Sequence, residues 1–204
     1  MAVTASHRVE LDFDPLRELL VDPTMGPERV SPVNLRALSP FQRALLVIDG
    51  TVTKFIEAYQ MEPVDVTRLS QRTSVLPSED TRLEAAAGES VIVREVVLTG
   101  RYSRTVYAYA ISLLVPVRLP EQLTGELHVD GTSLGRILLE HRLETRREVL
   151  WFGRELLEDL PEAVRHHTGD EFVSRTYRII AGGLPIMLIS EKFPLGKDGF
   201  PAHD

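Results

Sequence analysis

The sequence predicts an α+β fold, a mainly antiparallel sheet flanked by helices, on three observations. Gly182-Gly183 stands between two long apolar runs, the pattern of a tight hairpin turn at positive φ. Val91 to Leu98 and Thr105 to Val115 are two strand-like runs joined by the turn segment Thr99-Gly100-Arg101-Tyr102-Ser103. Helical patterns lead and trail these hairpins instead of alternating with single strands, which argues against a parallel sheet.

From the N-terminus, residues 10–21 pattern as a short amphipathic helix with Leu16, Leu19 and Leu20 on one side. Asp22 to Ser39 is rich in Pro and Gly and reads as a surface connector, so residues 1–37 form an extension and 38–204 the domain. Ser39-Pro40 supplies an N-cap and N1 proline for a helix through Ile48, broken at Asp49-Gly50. Thr51 or Thr53 then caps a second helix, Lys54 to Tyr59, and Val64 to Leu76 alternates as one strand or two short ones. The strand of Arg94 and its hairpin partner follow, ended by Pro116 and Pro120. Ser133 caps a helix predicted from about Leu134 to Phe152, with Arg142, Arg146 and Arg147 among Glu140, Glu144 and Glu148 as a solvated ion-pair face. The last pair, Ser174–Ala181 and Leu184–Phe193, meets at the two glycines.

Composition narrows the function. A chain of 204 residues, 43% hydrophobic, builds one good core. It holds no long apolar stretch of membrane-spanning length, and acidic residues occupy the start where a signal peptide is apolar. The expectation is a cytoplasmic protein, monomeric or a small homo-oligomer. Cysteine is absent, which removes disulfides, thiolate nucleophiles and cysteine-zinc sites. The net charge of −7 argues against a nucleic-acid surface. The six histidines include no pair at ligand spacing with a carboxylate, so no metal site is expected.

Three features carry candidate chemistry. Arg94 interrupts a run otherwise apolar enough to be buried, where a guanidinium costs several kcal/mol to desolvate unless an anion or a full set of acceptors meets it. Two explanations fit: a structural ion pair, with Glu95 or another carboxylate, or a fork for a substrate carboxylate. Glu191 lies in the last strand. A two-residue turn pairs Ser174 with Glu191 and puts Met187, Ile189 and Glu191 on one face with Thr176 and Arg178. Apolar neighbours would raise its pKa and suit it to donate a proton; otherwise it simply faces water beside Lys192. The third feature is a pair of glycine-containing helix starts, Asp49-Gly50-Thr51-Val52-Thr53 and Asp130-Gly131-Thr132-Ser133-Leu134-Gly135, whose free N–H groups suit an anion or serve as ordinary caps.

In this order, these segments, with Arg175-Thr176-Tyr177-Arg178 through Gly182-Gly183-Leu184-Pro185-Ile186-Met187 to Glu191 and Phe193, resemble the chorismate pyruvate-lyase family. Within it they are most similar to the actinobacterial and cyanobacterial branch of 4-hydroxybenzoate synthases, over roughly residues 38–195. The resemblance implies a chorismate lyase-like fold with an enclosed ligand cavity and elimination of pyruvate from chorismate to give 4-hydroxybenzoate or a closely related aromatic acid, with no cofactor. It carries the carboxylate-gripping arginine onto Arg94, the catalytic acid onto Glu191, and the carboxylate-holding amides onto Val52, beside Thr53, and onto Leu134 or Gly135. The enterobacterial branch has a second arginine where this chain has Ser112, and Arg178 is the expected substitute. Chorismate is then the partner, with neither nucleic acid nor membrane. The alternative is a non-catalytic aromatic-acid sensor of the same fold, as in the effector domains of bacterial repressors. Such repressors carry a basic winged-helix domain of some 70 residues in front, where this chain has about 37 residues and net acidity. A third reading is a carrier that hands an aromatic acid to a biosynthetic partner.

Overall fold

The computed structural model describes residues 14–22 and 26–195. Its helices are α1 (Pro40–Val47), α2 (Val52–Gln60), α3 (Glu121–Glu126), α4 (Leu134–Glu140) and α5 (Glu162–Thr168). Its strands are β1 (Val64–Val75), β2 (Ser90–Gly100), β3 (Val106–Leu114), β4 (Arg146–Leu156), β5 (Glu171–Ala181) and β6 (Leu184–Pro194). The strands form one sheet in the order β1-β2-β3-β6-β5-β4, antiparallel throughout. The predicted class and both hairpins are present.

Local chemistry explains the elements. Ser39 accepts from the Gln42 amide while the Gln42 side chain accepts from the Ser39 amide, a complete capping box ahead of Pro40. Helix α2 begins two residues earlier than expected, at Val52, and its N-cap Thr51 makes no side-chain cap. Gly182 and Gly183, at φ 57° and 84°, form a turn that residues with a Cβ would strain.

The predicted helix from Leu134 to Phe152 is a correction. Helix α4 ends at Glu140, and strand β4 begins at Arg146. Arg142 adopts φ 50°, while Arg142 N donates to Leu139 O and Leu143 N to Leu138 O. That pair of bonds is a Schellman stop with arginine in the place glycine usually takes. Beyond it, Val149 to Phe152 are four consecutive large apolar residues. They suit a strand covered on both faces better than one stripe of a helix. The expected N-terminal helix falls partly outside the described residues; within them is a short 3-10 turn, Arg17–Leu19. The free edge of β4 is met by both leading segments, with Leu20 of the stretch read as a helix bridging Val149 and Ser31 of the stretch read as a connector bridging Arg154. Leu16 and Leu38 join the core.

The register of the final hairpin is also a correction. An irregularity at Ile179/Ile180 shifts the pairing by one, so Glu191 stands opposite Arg175, and Ser174 opposite Lys192. A shift of one residue exchanges the faces of a strand. Arg175, Tyr177 and Ile179 therefore share the Glu191 face, and Arg178 points the other way.

One face of the sheet carries two apolar clusters. The first packs α1 and α2 on Val64, Val66, Leu98 and Phe193. The second packs α3 and α4 on Ile92, Leu114, Ile179 and Met187. Between the two helix pairs the sheet is left uncovered, and the cavity lies there. The opposite face is closed by α5 and by the segment around Leu83.

Gly153 on β4 tests the packing of the N-terminal segment. A Cβ there would stand 2.4 Å from Val30 Cγ1 and 2.5 Å from the Ser31 carbonyl oxygen. Gly153→Ala should destabilise the fold by about 1–3 kcal/mol, the usual cost of overpacking. Urea unfolding checks this, and an unchanged midpoint would mean that residues 30–31 do not press on β4.

Candidate functional site

The cavity, its open mouth included, holds about 580 Å³ of space that no atom fills. Its floor is built from alternate residues of the sheet, with all six strands contributing. The row Arg94–Ser112–Ile189–Tyr177 runs across β2, β3, β6 and β5. Val96, Ala110 and Glu191 form the next row. Its rim is the two predicted helix starts, Gly50 to Thr53 and Thr132 to Gly135. Arg94, Glu191, Val52, Thr53, Leu134 and Gly135, all singled out in the sequence, line this one space.

Arg94 is 2% exposed. Its Nη1 donates to Gln71 Oε1 at 2.8 Å and Leu127 O at 2.7 Å, and its Nη2 to Thr132 O at 2.7 Å. All three acceptors are neutral, and among the described residues no carboxylate forms a salt bridge with it. The expected ion pair with Glu95 is absent, because Glu95 faces the other side of the sheet and accepts from Ser70 and Tyr109. Burial, and then the charge of Arg68, push the Arg94 pKa down from its ordinary value, while Asp130 opposes them. A buried cation with neutral partners retains a full charge to offer an anion.

The two helix starts approach closely. A Cβ on Gly135 would lie 2.7 Å from Thr51 Cγ2, so only glycine lets the α4 backbone sit this near. Ser133 caps the Arg136 amide, and the Leu134 and Gly135 amides precede any intrahelical acceptor. The first amides of α2, Val52 and Thr53, stand in the same relation to the cavity.

Glu191 is 8% exposed, and its surroundings differ from the apolar ones expected. Arg175 Nε donates to Oε2 at 2.8 Å and the Tyr177 hydroxyl to Oε1 at 3.2 Å. Both oxygens act as acceptors. Arg175 also donates to the Ile48 carbonyl at 2.8 Å, and its guanidinium lies 4.9 Å from the Tyr177 ring centroid. Burial would lower the Arg175 pKa, but the Glu191 charge opposes it and the net shift is upward. Burial, then the same charge, push the Tyr177 phenol up, which keeps it a donor.

Arg178 is the one predicted site residue outside the cavity. The register shift places it on the opposite face, where Nε donates to Glu148 at 2.7 Å and Nη1 to Glu84 at 3.0 Å. It cannot substitute for an arginine at Ser112. Arg147, read in the sequence as part of a solvated helix face, lines the cavity instead. Sequence reasoning assigned no role to Arg175, Tyr177 or Arg147. Arg175, like Arg94, is a cation placed inside a strand, though among Ser174, Thr176 and Arg178 it stands out less in the sequence.

Comparison with known proteins agrees with this geometry. A family model described as chorismate pyruvate-lyase Rv2949c-like matches residues 46–198. The chorismate pyruvate-lyase of Mycobacterium tuberculosis is 31% identical over 173 residues, spanning 80% of this chain and 84% of that protein. The one from Mycobacterium leprae is 28% identical over 165 residues, 78% of this chain and 76% of that protein. Among solved structures, the effector domain of PhnF from Mycobacterium smegmatis superposes with a TM-score of 0.55 at 13% identity, over 80% of this chain and 91% of that one. That likeness concerns the fold alone.

If Arg94 anchors a ligand carboxylate, Arg94→Ala should weaken 4-hydroxybenzoate by about 2–5 kcal/mol, the range for truncating a buried charged hydrogen-bond partner. Arg94→Lys should restore only part, since the planar fork is lost. Titration calorimetry on variants that still melt cooperatively reads both. Unchanged affinity would reduce Arg94 to a clamp on residues 127–132.

Proposed function

Since this chain belongs to the Rv2949c-like chorismate pyruvate-lyase family, we propose that it eliminates pyruvate from chorismate and releases 4-hydroxybenzoate. The observation that carries this reading is the pairing, in one cavity, of a buried cation that lacks a carboxylate with a buried carboxylate two strands away. At about 4.8 Å per strand, Arg94 and Glu191 sit on strands some 10 Å apart, a span that a ring acid bridges with its carboxylate on Arg94. The amides of Val52 and of Leu134 or Gly135 take the remaining lone pairs of that carboxylate, with Thr53 beside them.

The chemistry balances without a further reactant. The proton leaves ring C4, and the electron pair of that C–H bond becomes a ring double bond. The C3–O bond breaks and its electrons enter the enolate of pyruvate. That enolate then takes up one proton at its methylene carbon. Glu191 is the group placed to carry it. With both oxygens accepting from Arg175 and Tyr177, Glu191 enters as a base, collects the C4 proton, and as the resulting acid returns it to the departing enolate. The sequence alone suggested only the second half, proton donation. Aromatisation drives the reaction forward, and positioning supplies much of the rate. This elimination keeps the C4 oxygen on the ring, which is why 4-hydroxybenzoate is the product proposed.

Incubating the purified protein with chorismate and resolving the products tests this reading. Equimolar 4-hydroxybenzoate and pyruvate are expected. Tight binding of the acid with no turnover would instead make the chain a sensor or carrier.

Glu191→Gln keeps the size and one of the two acceptor oxygens but carries no proton. Turnover should fall by about 10²–10⁴, the usual contribution of general acid–base catalysis, while product affinity changes little. Near wild-type turnover in that variant would remove Glu191 from the mechanism.

The balanced reaction calls for no metal. Turnover should survive dialysis against a chelator, and a loss reversed by a divalent cation would contradict the scheme.

A further inference from the structure

Arg147 is a partly buried cation left unexplained by the scheme above. It projects from β4 into the same cavity as Arg94 and Glu191, and its side chain is 17% exposed. Its Nη1 reaches Asp49 at 3.2 Å, but that carboxylate is 78% exposed and stands at the solvent edge. Its Nε is buried and, among the described residues, has no acceptor. An unpaired guanidinium donor of this kind carries a desolvation cost of a few kcal/mol, and a ligand oxygen would relieve it.

The charge balance agrees. Arg175 and Glu191 cancel as a pair. Arg94 and Arg147 remain, two cations facing one cavity in a protein of net charge −7. Strand order adds the geometry. Glu191 lies on β6, with Arg94 two strands to one side on β2 and Arg147 two strands to the other on β4. Arg147 stands opposite Ile179, one step along from the row of Tyr177 and Ile189. Its field reaches the Tyr177 phenol, whose pKa it opposes raising.

We propose that Arg147 receives the second carboxylate of a dianionic substrate, the one on the arm that departs, and so makes the site selective for ring dicarboxylates over ring monocarboxylates. The inference rests on the lyase reading for the identity of that arm. The Nε edge offers a carboxylate two parallel N–H donors, and the carboxylate displaces nothing but a weak contact at the mouth. Ser112, short and buried, leaves the floor between the two arginines open to the ring. When the bond to the ring breaks, the monocarboxylate product keeps its contacts at the Arg94 end, and pyruvate keeps Arg147. The two products are thereby held at opposite ends of the cavity.

The test compares three ligands on wild type, Arg147→Gln and Arg147→Lys: chorismate by steady-state kinetics, and 4-hydroxybenzoate and the unreactive dicarboxylate 3-(carboxymethoxy)benzoate by calorimetry. Loss of a charged partner in a buried site should raise KM for chorismate and Kd for the dicarboxylate by about 30-fold or more. The 4-hydroxybenzoate Kd should stay within about threefold of wild type, and Arg147→Lys should recover part of the loss. A purely structural role would weaken both acids together, and that result, or no change in either, overturns the proposal. The Lys variant keeps stem and charge, so it still separates the two acids if the Gln variant fails to fold. Wild-type protein that prefers the dicarboxylate through Arg147 yet makes no pyruvate would refute the lyase reading and leave this assignment standing.

Discussion

Arg94 brings a full positive charge onto a sheet face where only neutral oxygens meet it, and much of the site follows from that constraint. Two of its three acceptors are backbone carbonyls, Leu127 and Thr132. The chain between α3 and α4 must therefore fold down over β2, and that descent delivers the start of α4 to the cavity. Gly135 then lets the α4 backbone pass close to Thr51, which brings the start of α2 to the same rim. The cation thus organises its own surroundings, and its lack of a carboxylate leaves it attractive to a ligand's.

A second buried arginine does different work. Arg175 grips Glu191 on one side and the Ile48 carbonyl just beyond α1 on the other. This fixes the carboxylate against rotation and couples the middle of the sheet to the α1–α2 turn that lines the cavity. Removing either member of such a pair strands the other charge in a low-dielectric site, a cost of about 3–5 kcal/mol. Glu191 is consequently tied to the fold as well as to the reaction, which is why a substitution that keeps its volume and one acceptor oxygen separates the two roles better than truncation.

Much of this was legible in the sequence. Two glycines between apolar runs were sufficient for the final hairpin and the antiparallel class, and an arginine inside the separate apolar run Val91 to Leu98 drew attention to Arg94. Capping chemistry at Ser39-Pro40 and Ser133 located two helix starts. What escaped was set by tertiary pairing. The irregularity at Ile179/Ile180 leaves no mark in composition, yet it reversed the faces of β5 and with them the fates of Arg175 and Arg178. Arg142 halts α4 in a conformation usually taken by glycine, so the charged stretch from Glu140 to Glu148 read as a continuing helix. That single misreading hid Arg147, because an arginine flanked by glutamates on a helix is most simply a solvated ion pair. The exposure of Asp49 and the burial of the Arg147 Nε are properties of the folded chain alone.

A crystal structure with 4-hydroxybenzoate bound tests the account most directly. The ring carboxylate should lie against the Arg94 guanidinium and the amides of Leu134 or Gly135, with the phenolic oxygen within hydrogen-bond reach of Glu191. A ring bound in the reverse sense, with its phenol on Arg94 and its carboxylate away from both helix starts, would contradict it.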